Sequence, residues 1–155
     1  MARLTHARVW QRGHTVYDIQ YHLVWVTKYR YQVLRGDVAE RARDVLRQVC
    51  LSRDIEIVKG HISVDHIHML VCCPPLLSPA KLVQFLKGVS SRKLQEEFPH
   101  LKKRYWGQHL WARGYFCTTV GTITQDQIKL YIEKHKSEPP DENFGMTLSA
   151  PLQSA

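Results

Sequence analysis

The sequence predicts an α+β fold in which an antiparallel sheet carries helices on one face. Runs rich in β-branched and aromatic residues alternate with runs of helical periodicity. Their order is strand, helix, strand, strand, helix, strand, followed by one extra helix. That order is typical of the ferredoxin-like, split βαβ arrangement. A length of 155 residues suits a single domain of this kind.

The first half of the chain predicts three strands and one helix. Residues 17–30, YDIQYHLVWVTKYR, predict a long strand because aromatic and β-branched residues dominate. In residues 37–53 apolar side chains recur every three or four positions, which predicts an amphipathic helix. Residues 55–63 predict a second strand, and a tight turn at Val64–Asp65 leads to a third over residues 66–73.

The second half predicts two helices and one strand. Ser78–Pro79 is a favourable helix start, and that helix ends before Pro99. Residues 109–120, HLWARGYFCTTV, predict the fourth strand. A capping-box pattern at Thr124 opens the last helix, which we expect to end before Pro139.

The chain divides into three parts on this pattern. Residues 1–15 predict a basic N-terminal arm, residues 16–138 the folded domain, and residues 139–155 a loose tail with few large apolar groups.

Charge and cysteine use narrow the possible functions. Lys and Arg total 22 against 14 Asp and Glu, a formal net charge of +8, which favours nucleic acid as a partner before an anionic membrane surface. The basic N-terminus lacks the apolar core of a signal peptide, and no stretch has the length of a membrane span. The four cysteines form no CxxC zinc pattern. We expect a reduced, cytoplasmic protein without a membrane partner or a small-molecule substrate.

A histidine pair in SVDHIHMLVC opens the candidate site. His66 and His68 lie two residues apart in a predicted strand, hence on one face and about 6.6 Å apart along the backbone. Asp65, Ile67 and Met69 are expected on the other face. Two imidazoles on one face can bind a metal ion, whereas hydrogen-bonded strand histidines are the ordinary alternative for an isolated motif of this length.

The last predicted helix offers a third ligand and a nucleophile. Tyr131 and His135 are one turn apart on one helical face. A tyrosine on such a face usually belongs to the core, but beside a histidine-bound metal it suggests nucleophilic attack on phosphorus. The phenol has a reference pKa of about 10, and a metal on the scissile phosphate would offset the developing charge and orient the attack. The product would be a covalent phosphotyrosine that keeps the energy of the phosphodiester.

These residues resemble a known family. DHIHML resembles the HUH motif (His, bulky hydrophobic residue, His) of HUH endonucleases, and the chain more narrowly resembles the TnpA-type single-tyrosine transposases of bacterial insertion sequences. Further supporting stretches, in the family's order, are YHLVWVTKYRYQVL, FLKGVSSRKL, YWGQHLWARGYF and YIEKH. Together the stretches span residues 17–135.

The resemblance implies a homodimeric DNA transposase that excises and inserts single-stranded DNA and recognises hairpins near the element ends. Tyr131 would form a 5′-phosphotyrosine and free a 3′-OH, while His66 and His68 would bind Mg²⁺ or Mn²⁺. Gly121 fits the family's hinge before the catalytic helix. That helix can dock on its own subunit or on the other, and the resemblance favours the crossed arrangement.

The chain departs from the family pattern at one ligand position. His135 stands where many members carry Gln four residues after the tyrosine. Three nitrogen donors suit Mn²⁺ or another transition metal better than Mg²⁺. The alternative is a solvated His135 with water completing the metal shell.

Single-stranded DNA binding requires a cationic groove and flat side chains that stack on bases. The stacking candidates are Tyr29, Trp106 and Trp111. The candidates for backbone contact are Lys28, Arg30, Lys87, Arg92, Lys93, Lys102, Lys103 and Arg104.

Other interpretations of the sequence stay open. A relaxase or replication initiator would use the same chemistry, although such enzymes usually have more domains, and a REP-associated transposase-like protein is a close relative. From another class, a non-catalytic ferredoxin-like nucleic-acid-binding module would leave the histidines merely structural. The RNP-type aromatic signature of such a module is absent from the sequence.

Overall fold

The structure, a computed structural model, describes residues 10–12, 14–119 and 125–134. Its elements in chain order are β1 (Trp10–Arg12), β2 (Thr15–Tyr17), β3 (Gln20–Val26), α1 (Gly36–Ser52), β4 (Glu56–Ile62), β5 (His66–Cys72), α2 (Pro79–Glu97), α3 (Pro99–Arg104), β6 (Phe116–Thr119) and α4 (Gln125–Lys134).

The main sheet confirms the predicted split βαβ arrangement. Its four strands are antiparallel and stand in the order β4-β5-β3-β6, so that β3 lies between β5 and β6. The first strand of the motif, β3, therefore pairs with β5 and β6, the third and fourth strands of the motif. The second strand, β4, lies at an edge of the sheet, as in ferredoxin-like sheets.

One face of this sheet packs against α1 and α2 and forms the core. Leu23 and Trp25 of β3 and Ile67 and Met69 of β5 are at most 2% exposed and pack with the apolar stripes of both helices. Burial of each such side chain contributes roughly 1.5–3 kcal/mol to the free energy of folding. A slip of one residue in register would turn all of them outward, so this core also fixes which residues point to the opposite face.

The opposite face carries the histidine pair. Because side chains alternate along a strand, His22 and Val24 of β3 and His66 and His68 of β5 point away from α1 and α2. We call this surface the histidine face. The shared face predicted for His66 and His68 is confirmed by the alternating burial along β5.

Helix α2 begins where the sequence predicts. Ser78 Oγ accepts a hydrogen bond from the backbone N–H of Lys81 at 3.1 Å, and Pro79 occupies the first turn. Pro99 ends α2 as predicted but also starts α3, which the sequence argument did not predict. A proline at the first helical position loses no hydrogen bond, so the same residue can end one helix and begin the next.

The long first strand is shorter than predicted. It is interrupted after β2, resumes as β3, and ends at Val26 rather than Arg30. A 3-10 turn over Lys28–Arg30 follows, in which Tyr29 and Arg30 have φ of 62° and 56°. Residues other than glycine rarely adopt this left-handed backbone conformation, which here turns the chain out of the sheet.

The strand predicted over residues 109–120 is also shorter and is confined to β6. Before it, Trp111 forms a single bridge to Thr27, and Gly114 at φ 81° turns the chain towards Phe116. Glycine accepts this conformation without the steric penalty of a side chain.

Two short paired strands cross the boundary between the predicted N-terminal arm and the predicted domain. β1 pairs with β2, with Trp10 opposite Tyr17, in strands too short to show a period in the sequence. The predicted tail over residues 139–155 lies outside the described residues. Within the described ranges, no helix has both the length and the apolarity to cross a membrane.

Candidate active site

A row of side chains crosses the histidine face from one edge of the sheet to the other. It consists of His61 on β4, His68 on β5, Val24 on β3 and Phe116 on β6, each directly opposite the next. Residues directly opposite each other in an antiparallel pair share a face. The ring of Tyr131 lies against Phe116, with centroids 5.6 Å apart. Helix α4 thus brings the predicted nucleophile to the face that carries the histidine pair.

The spacing of the strands sets the scale of this site. Neighbouring strands are about 4.8 Å apart, so Phe116 and His68, two strands apart, are separated by about 10 Å across the sheet. Tyr131 lies against Phe116 and is therefore on the same side of the sheet as His68, with β3 between the strands of Phe116 and His68.

His68 is held by a histidine that the sequence argument missed. Nδ1 of His22 lies 3.1 Å from Nε2 of His68, and the ring centroids are 5.3 Å apart. Burial, followed by the neighbouring imidazoles and Lys59, lowers the pKa of His68 from 6.5 to about 4. Burial also lowers the pKa of His22. Both rings are therefore neutral at pH 7, which is the form that binds metal ions.

The ring of His66 is held by the carboxylate of Asp65. Oδ1 of Asp65 lies 2.9 Å from Nδ1 of His66, which leaves Nε2 as the nitrogen available to a ligand; metal-ligating histidines usually have such an arrangement. Burial alone would raise the pKa of Asp65, but hydrogen bonds from His66 and Arg30 outweigh it and lower that pKa. The carboxylate is therefore charged at pH 7 and can orient the imidazole.

The predicted position of Asp65 was wrong. The sequence placed its side chain on the face opposite the histidines, as for a strand residue. In the structure Asp65 precedes β5, and its carboxylate reaches the ring of His66 and the guanidinium of Arg30.

The two histidines suit one side of a divalent-metal site. His68 is neutral and His66 is backed by a carboxylate, which matches the donor chemistry of a metal-binding pair. Within the described ranges, no three His, Cys, Asp or Glu side chains converge on one point. The predicted third ligand, His135, and the predicted hinge, Gly121, both lie outside those ranges.

A strip of cations and one tryptophan projects from the region of α3. Lys102, Lys103 and Arg104 are exposed, and Trp106 two residues later is 87% exposed. The Arg104 guanidinium lies 3.9 Å above the ring of Tyr31. We call Lys102, Lys103, Arg104 and Trp106 the α3 strip; it combines charge for phosphates with a flat ring for bases.

Other predicted DNA contacts have protein partners. Arg92 lies 3.9 Å from Glu96 on the exposed side of α2, and Lys93 is half-buried on the same helix. Lys28 lies 5.3 Å from the ring centroid of Tyr29, both in the 3-10 turn. A DNA-contact role for these residues stays a prediction.

Trp111 is buried, and the prediction that it stacks on bases was wrong. It is 4% exposed, and its Nε1–H donates to Ser90 Oγ at 3.0 Å. Its ring also meets Trp25 edge-on in the core, with centroids 5.9 Å apart.

Lys87 holds the loop that leads into β6. Its Nζ donates to the carbonyls of Ala112 and Gly114, both at 2.8 Å. Burial lowers the pKa of Lys87 to about 8, so the ammonium is still protonated at pH 7 and can make both bonds. The contacts place it in the protein's own structure rather than on an open DNA-binding surface.

Replacing Lys87 by methionine should therefore lower the free energy of unfolding by about 1–2 kcal/mol, because two carbonyls lose a charged donor. Arg92→Met, a matched change at an exposed position of the same helix, should change stability by less than about 0.5 kcal/mol. Urea unfolding of both variants measures the difference. Unchanged stability together with weaker DNA binding in Lys87→Met would assign Lys87 to the DNA surface instead.

The chain matches a known protein family over most of its length. Residues 15–135 match the family described as Transposase IS200 like. The chain is 39% identical over 128 residues to the ISDra2 transposase TnpA of Deinococcus radiodurans, covering 82% of this chain and 91% of that protein. It is 38% identical over 127 residues to the transposase for insertion sequence element IS200 of Salmonella typhimurium, covering 80% and 84%.

Two solved structures share the fold. A crystal structure from Deinococcus radiodurans R1, described as that of a transposase, aligns with a TM-score of 0.76 and 38% identity, covering 83% of this chain and 100% of the other. A REP-associated tyrosine transposase bound to a REP hairpin aligns with a TM-score of 0.51 and 12% identity, covering 78% and 67%.

Proposed function

The chain belongs to the IS200-like transposase family, and we propose that it cleaves and rejoins single-stranded DNA at insertion-sequence ends through a covalent 5′-phosphotyrosine. The contact of Tyr131 with Phe116 carries this proposal, because Phe116 stands in the same row as His68. With Tyr131 beside Phe116 and the neutral His68 in the same row, a phenol and an imidazole lie on one side of the sheet and can act on one phosphate bound there.

In the proposed cleavage step, the Tyr131 oxygen attacks phosphorus as the bond from phosphorus to the 3′-oxygen breaks. The phenol loses its proton and the leaving 3′-oxygen gains one, so the step balances. His66 and His68, with His135 as the predicted third ligand, would hold Mg²⁺ or Mn²⁺, which when bound polarises the scissile phosphate. Asp65 and His22 orient the two imidazoles for that task through their contacts with His66 and His68.

Rejoining reverses the same step on a different strand. A 3′-OH attacks the phosphotyrosine and releases Tyr131, so no ATP or other co-reactant is required. The 3′-OH of the new strand must attack the phosphotyrosine before water hydrolyses it. The proposed chemistry therefore serves excision and insertion alike.

The proposed DNA partner is single-stranded and carries hairpin ends, and the proposed active form is a homodimer. The α3 strip supports the first point because its cations suit a sugar–phosphate backbone and Trp106 offers a surface for an unpaired base. A protein of the same fold was solved with a REP hairpin, so this fold can accommodate such a ligand.

The test uses an oligonucleotide that contains an imperfect palindrome from the DNA flanking the gene, labelled at its 3′ end. With Mn²⁺, the label should move with the protein on a denaturing gel, since a 5′-phosphotyrosine retains the downstream fragment. Tyr131→Phe should give no adduct while still shifting the oligonucleotide on a native gel. A native shift without any adduct for the unmodified chain would instead indicate a non-catalytic nucleic-acid-binding module.

A further inference from the structure

One guanidinium connects the catalytic helix with the histidine pair. Nη1 of Arg30 donates to the carbonyl of Ile132, the residue after Tyr131, at 2.5 Å. Its Nε and Nη2 lie 2.9 and 2.7 Å from Oδ2 of Asp65, whose Oδ1 lies 2.9 Å from Nδ1 of His66. The α4 backbone and a candidate metal ligand are thus joined through two side chains.

These contacts are largely shielded from water. The side chains of Arg30 and Asp65 are 16% and 11% exposed, so their attraction is screened less than that of a surface ion pair. The planar guanidinium fork can also hold two partners at fixed angles, which a lysine ammonium cannot do. The arrangement therefore fixes direction as well as distance.

The local backbone is shaped to aim this side chain. Tyr29 and Arg30 both have left-handed φ, a conformation that persists in such residues only where the surroundings impose it. Thr27 supplies the anchor, since its N–H donates to the Asp65 carbonyl at 3.0 Å and its Oγ1 donates to the Tyr31 carbonyl at 2.8 Å. The turn is tied on both sides, which keeps Arg30 directed at Asp65 and α4.

We propose that Arg30 is a positioning residue that docks α4, and with it Tyr131, at a fixed place relative to His66. The catalytic consequence rests on the proposed function, whereas the docking itself does not. From the sequence, Arg30 is a candidate for DNA contact, and the two roles predict different results when Arg30 is replaced.

Docking can be measured without DNA by amide hydrogen exchange. In Arg30→Gln, residues 130–134 of α4 should exchange at least about threefold faster than in the unmodified protein, because the helix loses its tie to the sheet. Exchange in α1 serves as an internal reference. The matched control is Arg35→Gln, since the Arg35 guanidinium contacts only Gln32 among the described residues and is exposed. Equal exchange of α4 in Arg30→Gln and the control would overturn the proposal.

Adduct formation supplies the second readout. At saturating hairpin DNA, the rate of phosphotyrosine formation in Arg30→Gln should fall at least about tenfold, because a displaced nucleophile reacts poorly. The dissociation constant for DNA should stay within about twofold, and Arg30→Lys should recover part of the rate by retaining the charge beside Asp65.

The opposite pattern identifies a DNA contact. Weaker and less salt-dependent binding with an unchanged rate at saturation would overturn the positioning role. If the unmodified protein forms no adduct at all, the proposed function fails, while the exchange experiment still decides whether Arg30 docks α4.

Discussion

Replacing His68 by alanine should reduce cleavage by more than about a hundredfold while leaving hairpin binding nearly unchanged. Loss of residues that merely orient metal ligands costs about 10–100-fold, so loss of a ligand itself should cost more. DNA affinity, by contrast, arises from many phosphate contacts spread over the surface. His66→Ala should behave in the same way, since both rings belong to the proposed metal site.

Single-turnover cleavage and equilibrium DNA binding, measured on the same preparations, separate the two effects. His14→Ala is a matched control, because His14 is exposed in the turn between β1 and β2 and lies outside the histidine face. Thermal unfolding verifies that each variant is folded. If a folded His68→Ala protein loses binding and cleavage in equal proportion, His68 contacts DNA and is not a metal ligand.

Mixing two inactive proteins, Tyr131→Phe and His68→Ala, should restore cleavage. In the described chain α4 docks on its own sheet, but the same surfaces can meet across a twofold interface in the proposed homodimer. The family resemblance favours that crossed arrangement. One site of a crossed heterodimer then combines both changes, and the other pairs an intact histidine pair with an intact Tyr131.

The chain that carries the adduct shows whether Tyr131 acts in its own subunit or in the other. Crossed docking places the phosphotyrosine only on the His68→Ala chain, which an affinity tag on one protein makes visible as a change in size. Subunit exchange must be shown independently, for example by co-purification of tagged and untagged chains. Exchange without any adduct would mean that the helix acts within its own subunit, as it lies in the described chain.

The sheet could be predicted because its core has a strong period. Leu23, Trp25, Ile67 and Met69 alternate with outward residues, and burial of that set admits one register. The shortened strands could not be predicted in the same way. Tyr29 and Arg30 look like strand residues, and their left-handed turn is held by contacts of Thr27 and Arg30 with Asp65, which the sequence does not reveal.

The sequence can indicate how neighbouring residues of the candidate site are placed, but not which residues meet through the sheet. His66 and His68 share a face by spacing alone. His22 becomes their neighbour only because β3 pairs with β5 in a register that sets Val24 opposite His68. A single histidine in a strand carries no pattern that would indicate such a contact.

The pairing of β3 with β6 has a consequence for the order of assembly. Val24 pairs with Phe116, far along the chain, and Tyr131 contacts Phe116 from a still later position. Contacts of such long sequence separation are slow to form because a large loop must close first. During synthesis, the histidine pair emerges from the ribosome well before the nucleophile. A nascent chain that holds only the first three strands of the main sheet therefore has the histidine pair but not the phenol that the proposed cleavage requires.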